Sequence, residues 1–448
     1  MDSTSISWDI VSIVNTMGKY RSILTSHFLI VIAVFLSVVA RILLSVNGGK
    51  SLFDSGQDAP SYEAAAIDFY NKGWFSDEIH SLPYFPAGYP AFQSLFLHIS
   101  LENGWTFLVA FQNIFYIVAV IFFMITLSKI FSKIEAYTLG FLLLFIPSFL
   151  YSPSENMYES VLASLLIIGF SCGVLLILQQ SVRNSWVLIA VGIFSFGLAG
   201  FLQVKTAPIG FLTFLIVGLV KSRRILLFAP LVFWGVALNI HRSFIAFGIF
   251  SPSTNFGTAI QVSGAKFPCV ITDKLTNHTI GQYVQADTDK QIIICAIKHF
   301  SSHPLDFIEN VMHQARALYG PLGGSGVPTA STWYHGFDFR RITDFLGTIP
   351  KNLYLIENIY SILLNVAIII GFFISLKKFP IWFTSLAAAP VFVISAVHLI
   401  SDGDARYRLP FLPFQMLFLL VILGVLQRKI LMGIKERRAA HPTGIGST

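Results

Sequence analysis

Long apolar runs separated by short polar clusters dominate the pattern of this chain. Crossing roughly 30 Å of hydrocarbon takes about 20 mostly apolar residues, fewer where a helix is broken, and about ten windows fit that requirement. They cover residues 23 to 46, 104 to 128, 135 to 151, 157 to 179, 185 to 203, 206 to 220, 225 to 247, 355 to 376, 380 to 400 and 409 to 427. Pro147, Gly197, Gly200 and Pro208 interrupt or bound the third, fifth and sixth of these. Two further segments show the mixed periodicity of amphipathic helices. In one, Pro60 is placed for a first helical turn and Tyr62, Ala66, Phe69 and Tyr70 recur on one face, with Glu63, Asn71 and Lys72 elsewhere. In the other, His303-Pro304 starts a helix, Ile308, Val311, Met312, Ala315 and Tyr319 form its stripe, and Gly320-Pro321 stops it. Such helices lie in the membrane interface.

Composition agrees with the pattern. Apolar residues make up 54% of the chain, charged residues 12%, and the mean hydropathy is +0.70, which excludes a water-soluble domain of 448 residues. The net charge of +7 does not mark a nucleic-acid binder, because Lys and Arg sit in short clusters between apolar runs. Those clusters report topology instead. Lys19 and Arg21, Lys129 and Lys133, Arg183, Lys221 with Arg223 and Arg224, Lys377 and Lys378, and Arg428 to Arg438 all fall on one side if both termini are cytoplasmic. No cleavable signal peptide is expected, since the first apolar stretch is long enough to span. The reading is an all-α polytopic membrane protein with two large non-cytoplasmic loops, 47 to 103 and 248 to 354, and a basic, disordered tail from 429 to 448. Its home is a plasma or inner membrane in a bacterium, or the endoplasmic reticulum in a eukaryote.

The outer segments carry the candidate chemistry. Asp54 and Asp58 precede the first amphipathic helix, and the stretch from Leu82 to Pro90, which includes Tyr89, is too proline-rich for a regular helix and suits a cavity wall. Glu155 closes a short outer turn. Lys205 lies between two apolar runs, where a cation is costly unless it faces a polar cavity or the interface. Arg406 and Arg408 stand in an outer turn against the positive-inside trend, and guanidinium forks suit phosphate oxygens. Asp402-Gly403-Asp404 has the shape of a metal-binding pair, so a divalent cation such as Mg or Mn is open. Trp333, Tyr334 and His335 form an aromatic cluster in the second outer loop. Cys269 and Cys295 share an outer loop that an oxidising compartment would allow to cross-link.

These segments, in order, resemble the GT-C superfamily of membrane glycosyltransferases, which includes protein O-mannosyltransferases and lipid A aminoarabinose transferases. The similarity rests on Asp58 four residues before Tyr62, on Ser154-Glu155-Asn156-Met157-Tyr158, on Ser251-Pro252-Ser253-Thr254-Asn255-Phe256-Gly257 and on Arg406-Tyr407-Arg408-Leu409-Pro410-Phe411-Leu412-Pro413. It spans roughly residues 50 to 420. The resemblance implies a single glycosyltransferase-like domain over 1 to 428 that takes a polyprenyl-phosphate sugar, of dolichyl or undecaprenyl type, and passes a hexose or pentose to a hydroxyl of a glycan, lipid or protein. It implies Asp58 as base and inversion at the sugar. The residues themselves add Arg406, Arg408 and Lys205 as partners for the departing phosphate, and Asp54, Tyr62, Tyr89, Glu155, His335 and Asp404 as support.

Structural readings stand beside each of these. Asp58 makes a good helix N-cap. Arg406 and Arg408 can pair with Asp402 or Asp404, and Glu155 can serve as a first-turn charge. Arg41 reads as an interfacial anchor, and His335 fits a purely structural role. A lipid-linked glycan flippase would show internal repeats and short loops, which this chain lacks. An O-antigen ligase-like transferase would carry its long loop late and rely on Arg and His. A non-catalytic scaffold gives no reason for the acids and cations to gather on one face.

Overall fold

The computed structural model describes residues 30–42, 59–74, 86–146, 149–150, 158–179, 185–247, 250–252, 286–319, 352–400 and 405–440. Among these residues the chain is all helix, with no strand. In chain order the α-helices are α1 Ile30–Ile42, α2 Ala59–Lys72, α3 Gly88–Ile99, α4 Gly104–Leu127 and α5 Lys133–Phe145. Then come α6 Glu159–Leu178, α7 Ser185–Leu202, α8 Ala207–Val220, α9 Trp234–Phe247 and α10 Ala286–Ser302. The last four are α11 Pro304–Tyr319, α12 Asn352–Lys378, α13 Ile381–Ile400 and α14 Leu412–Ala440. Tighter 3-10 turns precede α8 (Val204–Thr206), α9 (Arg223–Phe233) and α14 (Ala405–Phe411).

Every apolar window yields a helix, but six of the described helical segments are long and apolar enough to cross a membrane. These are Gly104–Leu127, Glu159–Leu178, Ser185–Leu202, Arg223–Ile245, Ile381–Ile400 and Tyr407–Gln427. The chain is a multi-pass integral membrane protein. The third predicted window is shorter than expected: α5 ends at Phe145, two residues before Pro147, whose ring disfavours helix in the residue ahead of it. In α9 the 3-10 entry surrounds Pro230, which has no N–H to continue a regular ladder. At the other end of the chain, α14 runs on to Ala440, so residues 429 to 440, expected as a disordered tail, are helical. Leu, Ile, Lys, Glu, Arg and Ala in that stretch are all good or tolerable helix formers.

The core is built around α6. Its spanning window is 78% buried, against 28% for Arg223–Ile245, and it touches α4, α7, α8, α13 and the 405–411 turn. Lipid tails are as apolar as leucine, so packing quality rather than water exclusion holds such a bundle together. Close approach shows this at Gly235, where a Cβ would stand 1.9 Å from the Gly197 carbonyl oxygen and lock α9 away from α7. Buried polar side chains fasten helix to helix: Tyr116 donates to the Leu143 carbonyl at 3.0 Å, and Ser375 and Thr384 share a hydrogen bond of 2.7 Å. Arg41 is 3% exposed rather than an interfacial anchor. Its guanidinium lies over the Tyr116 ring and donates to Asn113 at 2.8 Å inside the bundle.

The two amphipathic helices form where their periodicity placed them. In α2 the inward face is Tyr62, Ala65, Ala66 and Phe69, all buried. In α11 the expected apolar stripe is divided between two sides of the helix. Ile308 and Met312 are exposed, and Asn310, Gln314 and Leu318 point inward. The inward amides have partners there, Asn310 donating to the Ile400 carbonyl at 3.3 Å and Gln314 to Asn310 at 3.4 Å. An apolar outer face is the arrangement expected where lipid, not water, is the surroundings.

Candidate functional site

The segments read as outer corners meet at one end of the bundle. The 204–206 turn contacts α13, the 405–411 turn contacts α6, α11 and α13, and α3 contacts α2 and α7. At the other end the basic segments meet, Lys221 donating to the Gln179 carbonyl and Phe131 packing on Phe379 and Phe383.

Local sequence explains how the first corner is assembled. The stretch expected to be irregular ends at Ala87, and α3 starts at Gly88, placing Pro90 in the first turn where its missing N–H costs no hydrogen bond. A Cβ on Gly88 would meet the Phe201 carbonyl oxygen at 2.2 Å, so glycine lets the start of α3 lie directly on the end of α7. Asn239 of α9 closes the corner, accepting from the Ala87 N–H at 3.0 Å and donating to the Phe201 carbonyl at 2.8 Å. Arg242, one turn on and 3% exposed, lies over the Phe69 ring of α2 at 4.9 Å.

Tyr62 and Tyr89, both singled out in the sequence, are brought together and joined by Tyr158. Their rings meet edge to face, with centroid distances of 5.5 Å for Tyr62 to Tyr89, 6.0 Å for Tyr62 to Tyr158 and 6.2 Å for Tyr89 to Tyr158. The Tyr89 hydroxyl donates to Gln112 at 3.2 Å. Burial first, and the Glu159 carboxylate second, hold that hydroxyl well above its usual range, so it remains a donor. Glu159 itself opens α6 and is fully buried.

A second group continues from the first. Gln203 donates to the Tyr158 hydroxyl at 2.9 Å, and two residues along the same corner the Lys205 Nζ stands 4.2 Å from the centre of the Tyr407 ring. Tyr407 in turn stacks on His398, with centroids 4.0 Å apart and planes 17° from parallel. Cation, phenol and imidazole thus form one layered column across the 204–206 turn, the 405–411 turn and the end of α13. Lys205 is half-buried, so its ammonium is held yet still accessible.

Arg408 takes a different position. It is 2% exposed, donates through Nε to Gln415 at 2.7 Å and through Nη2 to Asn365 at 2.8 Å, and lies over the Tyr319 ring at 5.5 Å. Asn365 also donates to the Tyr319 carbonyl, and Tyr319 shares a hydrogen bond with Ser395. This guanidinium ties α11, α12, α13 and α14 together. It serves as a brace near the corner. Arg406 lies in the same 3-10 turn. Asp54, Asp58, Glu155, His335 and Asp404 lie outside the described residues, and Asp58 directly precedes the first residue of α2 in the chain. Among the described residues no group of three His, Cys, Asp or Glu is arranged to hold a metal ion.

Sequence reading passed over Glu159, Gln203, Asn239, Arg242 and His398. A signal was present for Arg242 and Asn239, polar residues inside an otherwise apolar span. None marked Glu159 above Glu155, since both sit beside a helix start.

No family model matches the chain, and no curated protein matches it in sequence. Solved structures do. The archaeal oligosaccharyltransferase AglB from Archaeoglobus fulgidus, in complex with an inhibitory peptide and a dolichol-phosphate, superposes with a TM-score of 0.50 at 15% identity over 94% of this chain. The chain has a GT-C fold. The apo form of the Archaeoglobus fulgidus oligosaccharyltransferase gives a TM-score of 0.51 at 16% identity over 93% of this chain. In both cases the match spans 52% of the other protein, so this GT-C chain corresponds to about half of their length.

Proposed function

We propose that this chain is an inverting glycosyltransferase. It moves a sugar from a polyprenyl-phosphate donor, of dolichyl or undecaprenyl type, to a hydroxyl acceptor on the non-cytoplasmic side of the membrane, with both termini cytoplasmic. The observation that carries this reading is the GT-C fold shared with an oligosaccharyltransferase solved with a dolichol-phosphate. The half-buried corner where Lys205 meets Tyr407 supports it, because a lipid phosphate needs a cation at the membrane surface.

In this reading Asp58 accepts the proton of the acceptor hydroxyl as its oxygen attacks the anomeric carbon. The bond from that carbon to the phosphate oxygen breaks on the opposite face, which inverts the configuration. The negative charge that accumulates on the lipid phosphate is met by Lys205, Arg406 and the positive field of Arg408. Tyr62 and Tyr89 support the corner from its buried side, and Asp54, Glu155, Asp404 and His335 belong to the surroundings of the sugar. A divalent cation, if one takes part, would draw on Glu155, Asp404 or Asp58, and no step above depends on it.

The test is transfer from defined polyprenyl-phosphate sugars by purified protein in liposomes, beside a lipid-flipping assay. Sugar transfer that drops with Asp58→Asn supports the reading. Flipping without transfer would overturn the enzyme class, and full transfer by Asp58→Asn would remove the assigned base.

A further inference from the structure

Helix α1 is fastened to its neighbours at one end and parted from them at the other. Ser37 donates to the Leu144 carbonyl at 3.3 Å, and one turn on Arg41 donates to Ser37 at 3.3 Å and to Asn113 of α4 at 2.8 Å. All three bonds come from the C-terminal half of α1. Along its N-terminal half a groove of about 400 Å³ opens between α1, α4 and α5. Ala33 and Leu36 form one wall, Met124 the floor, and Ile134, Phe141 and Leu144 the other wall.

The groove is mostly apolar, with Tyr137 and Thr138 part-way along it, and Lys133 lines one end at the first turn of α5. Charge on α5 is divided between two faces. Glu135, two residues on, is buried against Ser132, whose backbone N–H and hydroxyl donate to its carboxylate at 2.8 and 2.7 Å, and it lines a separate cavity with Phe131, Lys378 and Gly424. The carboxylate is therefore turned away and the ammonium is left at the groove. From Lys133 to Leu144 the helix rises about 16 Å at 1.5 Å per residue, close to half of a hydrocarbon core about 30 Å thick. The trough is thus as long as one leaflet, with a cation at headgroup level and a closed end at mid-bilayer.

We propose that this groove holds one acyl chain of an anionic phospholipid, with the lipid phosphate on Lys133. The occupant follows from charge and length together: a zwitterionic lipid would fill the trough but gain little from a lone ammonium, and the basic segments gather at this same end of the bundle. The site lies at the opposite end from Lys205 and does not rest on the proposed reaction. Its effect would be to hold α1 in place, since the lipid would add to the packing of Ile30 and Val34 along that half of the helix.

Native mass spectrometry of the full chain, released from mild detergent after addition of phosphatidylglycerol or phosphatidylcholine, reads this directly. The expected result is one phosphatidylglycerol retained at collision energies that strip phosphatidylcholine. Lys133→Glu should lower that retention at least about fivefold and Lys133→Arg should preserve it, because an exposed side chain changes charge without disturbing packing. Ala33→Trp, which fills the trough, should lose the lipid. Should that variant fail to fold, the two Lys133 variants decide alone. Equal retention of both lipids, or unchanged phosphatidylglycerol retention in Lys133→Glu, overturns the proposal. So does a dimer that Ala33→Trp dissociates, which would assign the groove to a second copy of the chain.

Discussion

The Nζ of Lys205 stands 4.2 Å from the centre of the Tyr407 ring, joining two corners of the chain that are about 200 residues apart in sequence. Tyr407 also stacks on His398, so the cation lies beside an aromatic pair drawn from two other segments. An ammonium seated on an aromatic face keeps its charge available for an incoming anion. That arrangement leads to the first expectation. Lys205→Met should lower transfer by about 10²-fold, as loss of one group stabilising developing charge does, with little change in thermal stability. Tyr407→Phe should stay near wild type because the ring remains, whereas Tyr407→Leu should approach the Lys205 variant. Steady-state transfer rates with matched melting curves in detergent separate these outcomes.

Asp58→Asn should reduce transfer by about 10² to 10⁴-fold, the range typical of a positioned base, while Asp54→Asn stays within a few-fold. Equal losses in the two variants would mean that charge in the loop, not a specific base, supports activity.

Arg408 is expected to act chiefly as a brace. Arg408→Lys cannot reach Gln415 and Asn365 with a fork, and losing hydrogen bonds to a charged group should cost about 1.5 to 3 kcal/mol. A melting temperature that falls with Arg408→Lys, together with a transfer rate reduced only in proportion to folded protein, is the expected pair of readings. A stable variant with lost transfer would instead make Arg408 a phosphate ligand.

Gly88→Ala should destabilise the protein by about 1 to 3 kcal/mol, because its new methyl would have to displace backbone at Phe201 and not a movable side chain. Since Gly88 sets α3 against α7, loss of the Tyr62, Tyr89 and Tyr158 arrangement should accompany the loss of stability. Transfer activity and detergent melting measure the two effects on one sample.

Cys295 is disulfide-bonded and Cys172 is free, so Cys269 is the remaining cysteine of the 3 in the chain. Thiol labelling of denatured protein without reductant should therefore modify Cys172 alone, and with reductant all three. Cys295→Ser should lower stability by about 2 to 4 kcal/mol, the typical contribution of a disulfide.

Much of this protein was determined by its sequence alone. Apolar runs locate helices in any lipid-soluble chain, because a backbone in hydrocarbon must satisfy its own hydrogen bonds, and each run did become a helix. The face of α2 was legible too, since Tyr62, Ala66 and Phe69 repeat at helical spacing and pack inward. Tertiary structure decided what periodicity cannot express. The spacing in α11 marked an apolar stripe but not its inward face, where Asn310 and Gln314 find partners while Ile308 stays exposed. Lys205 and Arg408 looked equivalent as cations among apolar neighbours, yet one faces an aromatic ring at a half-buried corner and the other is clamped by two amides. Hydropathy measures the preference of a residue for water or lipid. Which cation is left available is set by side chains that arrive from distant helices, and only the folded chain brings those together.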